Sequence, residues 1–256
     1  MDTARHPITL AIDGGVAIAT LDRPPVNAID DAWVARLDAI VDAVEARDDV
    51  RVLWIRSAGR AFCAGADLAL MRERFDSDAG RARMVELTRG MQKVFARIEH
   101  SARVSIAEIG AAALGGGLEL ALACDIRLVA DTARLGLPEA RLGLLPGAGG
   151  TQRLTRLCGD AIARRMILAA EVVDGARAVA WGIAQECMPA DELEGAARAL
   201  AQRIARVPAP TLAACKRCIT AAIDHHEDGF AAEVEGTAML YAQPESQALV
   251  RRFLAG

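Results

Sequence analysis

Aromatic residues are scarce in this chain: phenylalanine, tryptophan and tyrosine together make up 4% of its 256 residues. The strands of a β-sandwich draw on aromatic and β-branched side chains. Alanine and leucine dominate the apolar share here instead, which favours close helix packing. Lysine is scarcer still, with only Lys93 and Lys216 in the whole sequence. The arginines are scattered, with pairs such as Arg164-Arg165 and Arg251-Arg252 but no run, and the net charge is −4. A nucleic-acid binder typically shows a basic patch or stripe, so that class is disfavoured. No stretch approaches the roughly 18 charge-free apolar residues that mark a membrane span. The opening MDTARHPITL puts an acid and a proline where a signal peptide needs a long apolar core, and the expected address is cytoplasmic.

Cysteine is too thinly spread for a secreted disulfide framework: residues 63, 124, 158, 187, 215 and 218 share no regular spacing. Cys215-Lys-Arg-Cys218 has the spacing of a metal-ligand pair, but structural zinc wants four such ligands. His6, His100 and His225-His226 supply no recognisable second pair, and no metal site is expected. What remains is an ordinary globular mix, 53% hydrophobic and 25% charged. A chain of this length buries well over half of the surface it exposes when unfolded.

Read along the chain, Ile8–Ile12 and Val16–Leu21 flank Asp13-Gly14-Gly15, a hairpin signal. Asp30 or Asp31 can cap a helix running to about Arg47, with Trp33, Leu37, Ile40, Val41 and Val44 on one face. A buried strand is expected at Val50–Arg56, a loose arginine-rich segment from Met71 to about Arg83, and a helix over Met84–His100. The pattern then repeats: a strand at Val104–Ile109, a glycine turn, and an apolar helix at Leu118–Cys124. Strands follow at Ile126–Ala130 and Arg134–Leu137, then helices over Thr151–Leu157 and Ala161–Ala170, then a last strand over Trp181–Met188. Only helical patterns come after it. That order predicts an α/β core over residues 1–195 and a helical region over 196–256. The tail helices carry apolar faces without an obvious core of their own, so they must pack on the core or on a neighbouring subunit.

Generic catalytic motifs fail on inspection. There is no GxSxG, no HExxH, no P-loop lysine after the glycines at 147–150, and no GxGxxG spacing around Gly115-Gly116-Gly117. Two glycine turns with acids nearby remain. In Arg60-Ala-Phe-Cys-Ala-Gly-Ala-Asp-Leu68, Gly65 allows a bend that leaves the Ala66 N–H pointing outward. In Ala113-Leu-Gly-Gly-Gly-Leu-Glu119 a strand turns into a helix, whose first N–H groups have no internal partner and sit at its positive end. Two such donors aimed at one oxygen make an oxyanion hole. Each turn alone reads more readily as a plain tight turn. Glu119, however, falls inside an apolar helix, where a carboxylate is costly unless paired or functional. Glu139 follows a proline at a strand end. Paired carboxyls in a dry pocket have their ionisations pushed apart, giving one acid and one base near neutrality.

These residues closely resemble the enoyl-CoA hydratase/isomerase (crotonase) superfamily over nearly the full chain. The resemblance runs through Leu21-Asp-Arg-Pro with Val26-Asn-Ala-Ile29, then Ala61-Phe-Cys-Ala-Gly-Ala-Asp-Leu68. It continues in Gly110, Ala113–Ile126 and the long block Leu137-Pro-Glu-Ala-Arg-Leu-Gly-Leu-Leu-Pro-Gly-Ala-Gly-Gly-Thr-Gln-Arg-Leu154. It implies an α/β fold, a crotonase-like spiral of β-β-α turns with a C-terminal helical trimerisation region, assembled as a homotrimer or dimer of trimers. It implies an acyl-CoA thioester as substrate, no separate cofactor, no metal, and neither nucleic acid nor membrane as partner. Carried over by position, Ala66 and Gly116 supply the oxyanion hole. Ala64, Asp67 and Leu68 lie along the CoA, and Gly147 lies near the reacting carbons. Glu119 and Glu139 match the two catalytic glutamates of the hydratases.

The expected reaction is addition of water across the C2–C3 double bond of a 2-trans-enoyl-CoA to give a 3-hydroxyacyl-CoA. Alternatives within the family include Δ3,Δ2-enoyl-CoA isomerisation; the alternative from another class is a CoA-binding trimer without turnover. The tail departs from the family pattern. Arg251 and Arg252 are its candidates for meeting the CoA phosphates, and Lys216 matches a lysine common in the penultimate helices.

Overall fold

Gly14 and Gly15 carry φ of 55° and 84°, both left-handed. A tight two-residue turn between right-twisted strands requires that conformation. It closes β1 (Ile8–Asp13) onto β2 (Val16–Leu21) antiparallel, with Ile8 opposite Leu21 and Asp13 opposite Val16. The computed structural model describes residues 6–223 and 227–255, so the opening five residues and the His225-His226 pair lie outside the described residues.

After the hairpin, Asp30 caps α1 (Asp31–Glu45) by accepting from the Trp33 N–H, and the predicted apolar face is the buried one. The chain then makes three β-β-α turns. The first is β3 (Val52–Ser57), β4 (Ala61–Cys63), α2 (Leu68–Phe75) and α3 (Asp78–His100). The second is β5 (Val104–Ile109), β6 (Ala112–Leu114) and α4 (Gly116–Ala123). The third is β7 (Ile126–Ala130), β8 (Leu135–Gly136), a 3-10 turn at Pro138–Leu142, α5 (Gly150–Cys158) and α6 (Asp160–Leu168). Then come β9 (Val172–Val173), α7 (Gly175–Ala180), β10 (Glu186–Met188) and α8 (Ala190–Ala205). The end is helical: α9 (Ala209–Ala221), α10 (Gly229–Tyr241) and α11 (Pro244–Leu254).

The first strand of each turn joins one sheet, ordered β1-β2-β3-β5-β7-β10, and the second joins another, ordered β4-β6-β8-β9. Apart from the hairpin and the β8–β9 pair, neighbours run parallel. That is the expected spiral. Crossovers of this kind place helices over the sheet, and the core gathers between them around Trp33, Trp54, Phe62 and Phe95.

Several sequence expectations need correcting. The stretch from Met71 to Arg83 is not loose: α2 and α3 meet there in a tight corner. Ser77 caps α3 through the Gly80 N–H, Arg74 pairs with Asp31, and Arg81 pairs with Asp78 and donates to Phe75 O. The strand expected over Trp181–Met188 shrinks to Glu186–Met188, because Trp181 caps α7. The strand expected at Arg134–Leu137 shrinks to Leu135–Gly136. Residue 195 falls inside α8, whose Leu193, Ala197 and Ala201 are buried against the sheet, so the free tail begins at α9. Among the described residues no helix is long and apolar enough to cross a membrane.

Candidate active site

The second strands of the spiral end in turns that lie against one another. Gly65, at φ 95°, is where the chain leaves β4. A Cβ there would fall 3.0 Å from the Leu114 carbonyl oxygen and 3.3 Å from the Gly116 nitrogen, so the two glycine turns touch backbone to backbone. Ile29 holds the first turn by a parallel bridge to Ala66: its N–H donates to Gly65 O at 2.8 Å and its carbonyl accepts from Asp67 N at 2.9 Å. In such a bridge the middle residue's own N–H faces the other way. The Ala66 N–H therefore points away from Ile29. Gly116 opens α4, so its N–H belongs to the first turn, where no intrahelical acceptor exists.

Glu119 sits in that first turn of α4, every residue of which is buried, and is itself 2% exposed. Its Oε1 accepts two backbone hydrogen bonds, from Ala148 N and Gly150 N, each at 2.8 Å. Burial pushes its proton affinity up to a pKa of about 7, opposed by the Gly150 donor and reinforced by the nearby charge of Glu139. Glu139, in the 3-10 turn, is also pushed above the ordinary carboxylate range by burial. Its Oε2 is buried without a hydrogen-bond partner, and its Oε1 lies 3.1 Å from where a Gly115 Cβ would stand. Two carboxyls of raised proton affinity thus stand close to each other and to the Gly115-Gly116 turn, an arrangement suited to moving one proton.

Gly147 lies in the loop that feeds the Glu119 donors, and a Cβ on it would come within 3.1 Å of Thr88 Cγ2. Ala64 bonds through its N–H to Val26 O at 3.0 Å. The Asp67 carboxylate is occupied by capping α2 and by Arg23, and its backbone is paired as well, its N–H donating to Ile29 O and its carbonyl accepting from Met71 N. Leu68 is 58% exposed at the start of α2. Arg251 and Arg252 are exposed in the last turn of α11, and Lys216 is no free surface lysine: it donates to Ile98 O, Arg103 O and Asp125 Oδ2.

Sequence inspection missed the brace around the loop of residues 147–150. Arg153, 8% exposed, donates from Nη1 to Ala148 O at 3.0 Å and pairs with Glu99 at 2.7 Å. Gln92 on α3 donates to Gly147 O at 2.6 Å. Arg153 stood inside the quoted glycine block; nothing local marked Gln92.

The chain is similar to known proteins in sequence and in fold. A sequence model described as Enoyl-CoA hydratase/isomerase matches residues 11–254. A probable enoyl-CoA hydratase of Bacillus subtilis (strain 168) is 41% identical over 210 residues, covering 81% of this chain and 80% of the relative. A short-chain-enoyl-CoA hydratase of Clostridium acetobutylicum is 34% identical over 199 residues, 77% of this chain and 74% of the relative. Among solved structures, DspI of Pseudomonas aeruginosa superposes with a TM-score of 0.90 at 34% identity, covering 100% of this chain and 97% of that one. With a family match over nearly its whole length, the chain belongs to the enoyl-CoA hydratase/isomerase family.

Proposed function

We propose that this protein is an enoyl-CoA hydratase, adding water across the C2–C3 double bond of a short- or medium-chain 2-trans-enoyl-CoA. The observation that carries the reading is the pair of buried carboxyls, Glu119 and Glu139, beside the touching turns that present Ala66 N–H and Gly116 N–H. As water attacks C3, electron density flows through the double bond to the thioester oxygen. Donors fixed on that oxygen stabilise the enolate-like transition state more than the ground state. Glu119, whose Oε1 is held by two N–H groups, takes the proton from the attacking water. Glu139, whose Oε2 is unpartnered in a buried setting that disfavours its charge, delivers a proton to C2. Oxygen ends on C3 and hydrogen on C2, so one water is consumed and no electrons leave. Ala64, Asp67 and Leu68 run along the CoA in this reading, with Gly147 beside the reacting carbons and no cofactor apart from the substrate's own coenzyme A.

The Bacillus and Clostridium relatives carry hydratase names, which supports hydration over double-bond migration. The test is loss of the conjugated thioester absorbance across a panel of enoyl-CoA chain lengths. Glu119→Gln and Glu139→Gln should each slow hydration by about 10²-fold or more while still folding and binding acyl-CoA. The double variant should lose less than the product of the single losses, since the pair acts as a unit. Isomerisation of a 3-enoyl-CoA, with no hydration at any chain length, would overturn the assignment. We infer in addition that the chain works as a homotrimer or dimer of trimers built through its helical C-terminal region.

A further inference from the structure

Glu119 has one oxygen tied down and one free: both backbone donors converge on Oε1. One of them, the Ala148 N–H, belongs to the peptide group whose carbonyl is Gly147 O. That carbonyl accepts the hydrogen bond from Gln92 Nε2 at 2.6 Å. A side-chain amide, one peptide group and a carboxylate therefore stand in a line. Hydrogen bonds that share a peptide polarise one another, so a donor on the carbonyl strengthens the N–H at the other end.

We propose that Gln92 is a positioning residue for Glu119, fixing the Gly147–Ala148 peptide and strengthening its N–H as a donor to the carboxylate. Thr88, one turn earlier on α3, packs against Gly147 and keeps the peptide within Gln92's reach. Gln92 itself is exposed, while the buried face of α3 runs through Leu87, Met91, Val94, Phe95 and Ile98. Replacing it therefore leaves the packing of the helix intact. The other charges around Glu119 are accounted for. Glu139 faces it from the 3-10 turn and raises its proton affinity; Arg153 faces it from α5 and lowers it. Glu99 on α3 is paired with Arg153. On α3 beside Gln92, Lys93 is directed to Asp38 and Arg89 to Glu86.

The experiment reads Glu119 directly. In protein labelled with 13C at the glutamate carboxyls, the resonance missing from Glu119→Gln is titrated in the parent, in Gln92→Ala and in Gln92→Lys. Loss of the donor in Gln92→Ala should raise the Glu119 midpoint by about half a pH unit. Gln92→Lys keeps a donor for Gly147 O and should return the midpoint to the parent value or below it. An unchanged midpoint in Gln92→Ala overturns the proposal. A second arm rests on the hydratase reading: below the midpoint, kcat for hydration should fall about threefold in Gln92→Ala, the same half unit expressed as a rate, with KM little moved. If the midpoint shifts but no variant hydrates any enoyl-CoA, the link from Gln92 to Glu119 stands and the hydratase assignment falls.

Discussion

A carboxyl placed in a dry helix is held at some cost in stability, and Glu119 lets that cost be measured. Folding raises its proton affinity from an ordinary value of 4.5 to about 7. A group raised on folding stabilises the native state while protonated; that contribution is complete below the unfolded value and is lost as pH rises through the folded one. The parent should thus lose stability between about pH 5 and pH 8 in a way that Glu119→Gln does not, by about 1–3 kcal/mol. Glutamine can still accept from Ala148 and Gly150 through Oε1, so the comparison isolates the charge. Urea unfolding at both pH values checks this, and an equal gap at the two would contradict it. Glu119 was legible in the sequence because a charge amid Leu118, Leu120, Ala121 and Leu122 asks for an explanation. Glu139 was legible from the rigid proline before it. Gln92 was not: it is an exposed glutamine, 55 residues from the carbonyl it holds, and only the fold joins them.

The elements followed the sequence wherever one face or one turn decided them, as in the β1–β2 hairpin and in α1. They departed from it where distant ion pairs did. The segment of residues 71–83 read as loose in part because Arg74's partner is not local: it reaches Asp31, 43 residues back. The short strands β4, β6 and β9 escaped notice for a related reason: two or three residues show no period, and only pairing across the sheet defines them. α4 is the element on which the site depends most. A Cβ on Gly117 would stand 2.0 Å from Cys63 O, a backbone atom that cannot give way. Gly117→Ala should therefore push α4 off β4, carrying the Gly116 N–H and Glu119 with it. We expect a stability loss of about 2–3 kcal/mol, the cost of overpacking, and at least a tenfold loss of rate. A Cβ on Gly116 crowds the side-chain ends Met91 Cε and Ile29 Cδ1, at 2.7 and 3.0 Å, and meets backbone only at an ordinary 3.7 Å, at Gly65 Cα. Gly116→Ala should accordingly be the milder of the two in thermal melts. The reverse order would show that the β4 contact does not set the position of α4.

At the scale of the whole molecule, the three last helices have little of their own chain to rest on. Among their described residues only Ala221 and Ala232 are buried, while Phe230 is 84% exposed, Tyr241 75% and Phe253 86%. Lys216 ties α9 to the core through two carbonyls and Asp125, so the tail has a fixed root and an uncovered apolar surface. A second uncovered apolar group, Leu142 and Leu145, lies in the chain segment between Glu139 and Gly147. Apolar surface of this extent on one chain is characteristic of an interface. Two different patches that meet between copies make a head-to-tail contact, which closes into a ring when the rotation allows. In the homotrimer proposed above, a contact between each tail and a neighbour's 142–145 segment would cover both patches at once. Sedimentation equilibrium at micromolar concentration should therefore give three or six times the chain mass. Phe230→Asp combined with Phe253→Asp should shift it toward the monomer, since burying an unpaired carboxylate costs several kcal/mol. If the loop patch is the partner, hydration should fall with assembly, although neither substituted residue belongs to the proposed catalytic set. A parent that sediments as a monomer, or a double variant that assembles as the parent does, would remove the tail from the interface.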